Sequence, residues 1–121
     1  MTATPVDKTY VMLMVADMAR AMRFYTEAFA VSVVISSPYW SEFTVAGTTV
    51  ALHPGGTGQT NTGLGFEVKD LDAALQRTTD VGGKITSPPR DRPEERIRIA
   101  QIADTEGNLI TVAELTASRP E

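Results

Sequence analysis

The chain has 121 residues, a net charge of −4 and no cysteine, so it makes one domain with a core and has no disulfide, thiolate metal site or cysteine nucleophile. The acidic balance argues against nucleic-acid binding, because arginines cluster only at Arg90, Arg92, Arg96 and Arg98, among Asp91, Glu94 and Glu95. No apolar run reaches the roughly 18–20 residues of a membrane span, and Met1 to Lys8 lacks a basic-then-apolar leader, so a cytoplasmic protein is expected.

Tyr10 to Val15 is an apolar, β-branched run of strand length. Asp17 can cap the helix that follows, whose apolar stripe is Met18, Ala21, Met22, Tyr25 and Phe29. Val31 to Ser36 reads as a strand ended by Ser37-Pro38. Trp40 to Val45 and Thr48 to Leu52 read as a hairpin about Ala46-Gly47. Pro54 to Thr62, with three glycines, is a linker. The order then recurs. Leu64 to Val68 is a strand, and Asp70 caps a helix with the stripe Leu71, Ala74, Leu75 and Val81, stopped by Gly82-Gly83. Lys84 to Thr86 is a short strand. Pro88 to Glu95 is expected to be a surface loop, either solvated or closing as a lid over a cavity. Arg96 to Ala103 and Leu109 to Ala113 are the last strands, around the turn Asp104 to Asn108.

The halves echo each other in detail. Val15-Ala16-Asp17-Met18-Ala19-Arg20-Ala21-Met22 matches Val68-Lys69-Asp70-Leu71-Asp72-Ala73-Ala74-Leu75, offset by 53 residues, and Gly47 to Ala51 matches Gly107 to Thr111, offset by 60. The added length fits the longer loop near Pro88 to Glu95. The prediction is an α+β fold of two βαβββ modules, 8–54 and 62–115, in a single domain over 8–115, with flexible tails at 1–7 and 116–121. A binding site is expected between such copies.

The strings V-x-D-[ML]-x-x-[AM]-x-x-F-Y over Val15 to Tyr25, and D-x-x-G-N-L-I over Asp104 to Ile110, resemble the vicinal oxygen chelate superfamily. That group holds glyoxalase I, extradiol dioxygenases, fosfomycin-resistance enzymes and bleomycin-binding resistance proteins. The resemblance runs from about Tyr10 to Glu114 and implies a cupped mixed sheet around a cavity, as a homodimer. In metal-dependent members His, Gln or Glu hold the ion at positions matching Tyr10, Ala51, Gly63 and Thr111 here. None of these is such a ligand, and a one-residue shift brings only apolar side chains. No metal or other cofactor is therefore expected.

Strand alternation sorts the faces independently of the family. Phe43, Val45, Val50 and Leu52 belong under the helices. Trp40, Glu42, Thr44, Thr49, Ala51 and His53 face the cup, as do Tyr10, Met12 and Met14 from the first strand and Gly63, Gly65 and Glu67 from the fifth. The seventh strand fits either parity. Trp40 is a stacking platform or a plug at a dimer seam or sheet edge. Tyr10 and Tyr39 are packing residues or ligand contacts. Glu42 meets a cationic ligand, pairs with His53, or is an exposed edge carboxylate. His53, the single histidine, is an acid–base group, a ligand partner or a solvated strand end.

Two functions follow from this face. The first is a metal-free binding protein of bleomycin-resistance character, holding an aromatic or cationic small molecule such as an antibiotic with Tyr10, Met12, Trp40, Glu42, His53 and Thr111. The second is a metal-independent isomerase or lyase in which His53 moves a proton and Glu42 orients the substrate.

Overall fold

The computed structural model describes residues 2–57 and 60–116. The expected tail lies outside the described residues from 117 onward, as do Met1 and, in the linker, Gly58 and Gln59. The first module runs β1 (Val11–Val15), α1 (Met18–Ala28), β2 (Ser32–Ile35), β3 (Ser41–Val45) and β4 (Thr48–Pro54). The second runs β5 (Asn61–Glu67), α2 (Leu71–Asp80), β6 (Lys84–Arg92), β7 (Ile97–Ala103) and β8 (Leu109–Leu115). Each module is a four-stranded mixed sheet, ordered β1-β4-β3-β2 and β5-β8-β7-β6, with β1 parallel to β4 and β5 parallel to β8.

Local chemistry places the elements. Asp17 accepts a hydrogen bond from Arg20 N and Asp70 from Ala73 N, each closing an orphan amide of its helix. Gly82, at φ +99°, reverses the chain after α2. The hairpin turn at Ala46-Gly47 uses positive φ at both residues, and the register pairs Val45 with Thr48, Phe43 with Val50 and Glu42 with Ala51. This is the register the alternation predicts.

One core spans both modules. Leu13, Val15, Phe43, Val50 and Leu52 of the first sheet and Leu64, Ile102, Ile110 and Val112 of the second are buried with residues of both helices. Phe24, outside the predicted stripe, is 1% exposed and packs edge-on against Tyr25 and Phe29. Phe29 in turn meets Phe66 of the other module at 4.8 Å.

The turn Asp104 to Asn108 forms a polar latch between modules. Glu106 accepts from the amides of Ala16 and Asp17, both at 2.9 Å, and from the Arg20 guanidinium at 2.8 and 3.0 Å. These bonds outweigh desolvation and hold its carboxyl down to about 2. The Tyr25 hydroxyl donates to Asp104 at 2.6 Å, and Asn108 donates to the carbonyl of Met14 at 2.9 Å. Burial, then the Asp104 charge, pushes the Tyr25 phenol well up.

One expected loop is a strand. Lys84 to Arg92 is a nine-residue edge strand rather than a short strand leading into a loop at Pro88. Pro88 and Pro89 fall where the pairing to β7 shifts register, between Ser87 and Arg90, so their missing N–H groups interrupt no regular ladder. The seventh strand's parity is also settled by pairing. Ala100 and Ile102 share the core face with Val112 and Ile110, which puts Ile99 and Gln101 on the opposite face with Thr111.

Candidate functional site

The face of the first module opposite α1 carries most of the predicted site. Residues paired across β3, β4 and β1 share a side, so Glu42 and Ala51 line up with Met12 on it. Tyr10 and Met12 are half exposed. Trp40 lies between Tyr10 and His53, with ring centroids 5.6 Å and 6.1 Å away, the latter pair edge-on. The result is an open aromatic wall with Met12 as pliable apolar floor.

Glu42 has a different part from the one expected. It is 5% exposed, and both its oxygens are engaged: Lys8 Nζ donates to one at 2.5 Å and Trp40 Nε1 to the other at 2.6 Å. The Lys8 hydrogen bond, then that of Trp40, holds its carboxyl below the usual range. Neither bond reaches His53. Glu42 therefore fixes the tilt of the indole and carries its own counter-ion. Lys8 is the residue that sequence reasoning missed, because a lysine in an irregular leading segment gives no periodic signal.

His53 is exposed at the end of β4, where its Nδ1 lies 2.7 Å from the Pro54 carbonyl. A carbonyl only accepts, so Nδ1 is the donor in this contact. Thr111 is apart from this group. It lies on β8 of the second module, in a pocket of about 120 Å³ lined also by Ser87, Arg90, Ile99, Ala100 and Gln101. A more apolar cavity of about 400 Å³ lies at the junction of the modules, lined by Phe29, Val45, Leu64 and Phe66 among others. None of the six predicted ligand contacts lines it.

The positions that correspond to family metal ligands do not fit a divalent ion. Ala51 and Gly63 offer no side-chain donor, and a phenol at Tyr10 and an aliphatic hydroxyl at Thr111 are poor ligands. Among the described residues, no three His, Asp or Glu side chains gather as a metal would require.

Comparison with known proteins agrees with this architecture. The family model described as Glyoxalase/Bleomycin resistance protein/Dioxygenase superfamily matches residues 9–112. No curated protein matches the sequence. Among solved structures, the fosfomycin resistance protein FosX from Listeria monocytogenes, in complex with Mn(II) and sulfate, superposes with a TM-score of 0.77 at 20% identity, covering 93% of each chain. The hypothetical protein SA1046 from S. aureus gives 0.76 at 14% identity, covering 92% of this chain and 95% of its own. A glyoxalase/bleomycin resistance protein from Albidiferax ferrireducens T118 gives 0.69 at 21%, covering 92% and 97%. Among the described residues, no helix is long and apolar enough to cross a membrane. The chain belongs to the glyoxalase/bleomycin resistance/dioxygenase superfamily.

Proposed function

We propose that this superfamily member is a metal-free binding protein that sequesters a planar aromatic molecule, neutral or cationic, against Trp40. The observation that carries the reading is the wall Tyr10–Trp40–His53, with the indole pinned by Glu42 and Lys8 beside positions stripped of metal donors. A preset ring face lowers the ordering cost of stacking. A cation gains from the face of the indole rather than from the Glu42 carboxylate, whose charge Lys8 already balances. We place a planar antibiotic within this ligand class and the working protein as a homodimer, the second copy covering the half-exposed Tyr10 and Met12.

Trp40 is the only tryptophan, so its fluorescence reports on the site directly. Titration with bleomycin and a panel of planar aromatic cations is expected to quench it to saturation. At 100 times the dissociation constant the fold gains about 2.7 kcal/mol in a thermal or denaturant shift. Trp40→Ala, followed by calorimetry, is expected to weaken binding by about tenfold. Absence of both quenching and thermal shift across the panel overturns the reading.

The exposed imidazole of His53 favours a second reading, acid–base catalysis without metal. His53→Ala separates the two. A sequestering protein keeps most of its affinity, whereas an isomerase or lyase loses turnover by a factor of about 10²–10⁴.

A further inference from the structure

The second module carries a site of opposite character on the equivalent face. Ser87, Gln101 and Thr111 stand in one row across β6, β7 and β8, and the row ends at Gly65 on β5, which has no side chain to fill the space beside Thr111. Ser87 pairs with Gln101 and Arg90 with Ile99, so three residues of β6 span two of β7. That added residue is a β-bulge at Pro88-Pro89. In a regular strand, positions three apart point to opposite sides; the bulge returns Arg90 to the side of Ser87.

The side chains so gathered are donors. Thr86 Oγ1 lies 3.0 Å from Gln101 Oε1, which accepts its proton and leaves the Gln101 amide N–H groups to donate. Ser87 and Thr111 add hydroxyls, and Arg90 adds a guanidinium. Arg92 pairs with Glu95, and Arg98 with Asp72 and Asp91, but Arg90 has no hydrogen bond or ion pair among the described residues. Asp91, next in sequence, is drawn to Arg98 and so does not neutralise Arg90. Among the described residues no carboxylate lines the pocket, in a chain whose net charge is −4.

We infer that this pocket binds a small oxyanion, the phosphate or carboxylate end of a small molecule, with Arg90 as its charged anchor. A volume of about 120 Å³ suits such a group rather than a whole aromatic ligand. A guanidinium with flanking hydroxyl and amide donors matches oxyanion geometry. The inference goes beyond the aromatic wall and does not depend on it, since the two faces lie on different sheets.

The test is titration of the full-length chain with inorganic phosphate and, separately, with acetate, at constant ionic strength, followed by backbone amide shifts. Saturable shifts centred on Ser87, Arg90, Gln101 and Thr111 are expected with at least one of the two anions. Whichever saturates identifies the headgroup. Arg90→Gln weakens that binding by about tenfold or more, while Arg92→Gln, on the same strand but paired with Glu95, leaves it within about twofold. Thr111→Val gives a second, near-isosteric loss that does not remove a charge. Trp40→Ala leaves anion binding unchanged, so failure here and failure of the aromatic site are read separately. Shifts that fail to saturate with both anions, that map elsewhere, or that persist in Arg90→Gln overturn the proposal.

Discussion

At the start of α1, Asp17 accepts from Arg20 N, and Glu106 reaches over from the opposite module to take the amides of Ala16 and Asp17. At the start of α2, Asp70 accepts from Ala73 N in the same way, but Glu114, which takes the amide of Leu71, belongs to α2's own module. The local cap is thus repeated and the second carboxylate is not. One helix is secured across the repeat and the other within it. A duplicated unit keeps what its own sequence can satisfy and diverges where the two copies must meet. The outer faces follow the same rule, aromatic around Trp40 in the first module and donor-lined around Arg90 in the second.

Removing the cross-module carboxylate is the strongest way to break this comparison. Glu106→Ala strips two amides and a guanidinium of their acceptor from a side chain with no exposure, and is expected to cost about 3 kcal/mol in urea unfolding. A loss equal to that of Glu114→Ala would erase the distinction. The same group gives a pH signature. Its carboxyl is held at about 2 when folded, against 4.5 as the ordinary value. The unfolded chain therefore binds the proton first, so the stabilisation is complete above about 4.5 and is lost as pH falls through that window toward 2. Glu106→Gln is expected to flatten that acid limb, read from denaturation midpoints at successive pH values.

Tyr25→Phe sharpens the same contrast at smaller scale. It removes the 2.6 Å bond to Asp104 at the module boundary, and a loss of about 1–2 kcal/mol is expected by thermal unfolding. Glu114→Ala, which leaves the Asp70 cap in place, is expected to cost about 1 kcal/mol.

Much of the fold was legible in the chain because its signals are local. Asp17 and Asp70 precede apolar stripes, Ala46-Gly47 sets a hairpin register, and strand alternation puts Phe43, Val50 and Leu52 in the core. The placement of the candidate residues was legible in part for the same reason, since alternation alone put Trp40, His53 and Met12 on one side. Strand β6 was not, because Pro88-Pro89 reads as a breaker unless the edge of a sheet, where a missing N–H is tolerated, is already known. The state of Glu42 was not either, since its partner Lys8 lies 34 residues away in a segment without periodicity.

The sequence by itself determined the repeat, the two caps, the hairpin register, the family resemblance through its two motif strings, and the absence of metal-donor side chains at the family's positions. Those follow from bonding rules that act within a few residues or from residue identity. Only the tertiary structure decided that Glu106 ties the modules, that Glu42 is paired with Lys8, and that a bulge turns Arg90 to the side of Ser87 and Thr111. Each of these needs groups distant in the chain to be brought within hydrogen-bond reach or onto one face, and folding supplies that proximity.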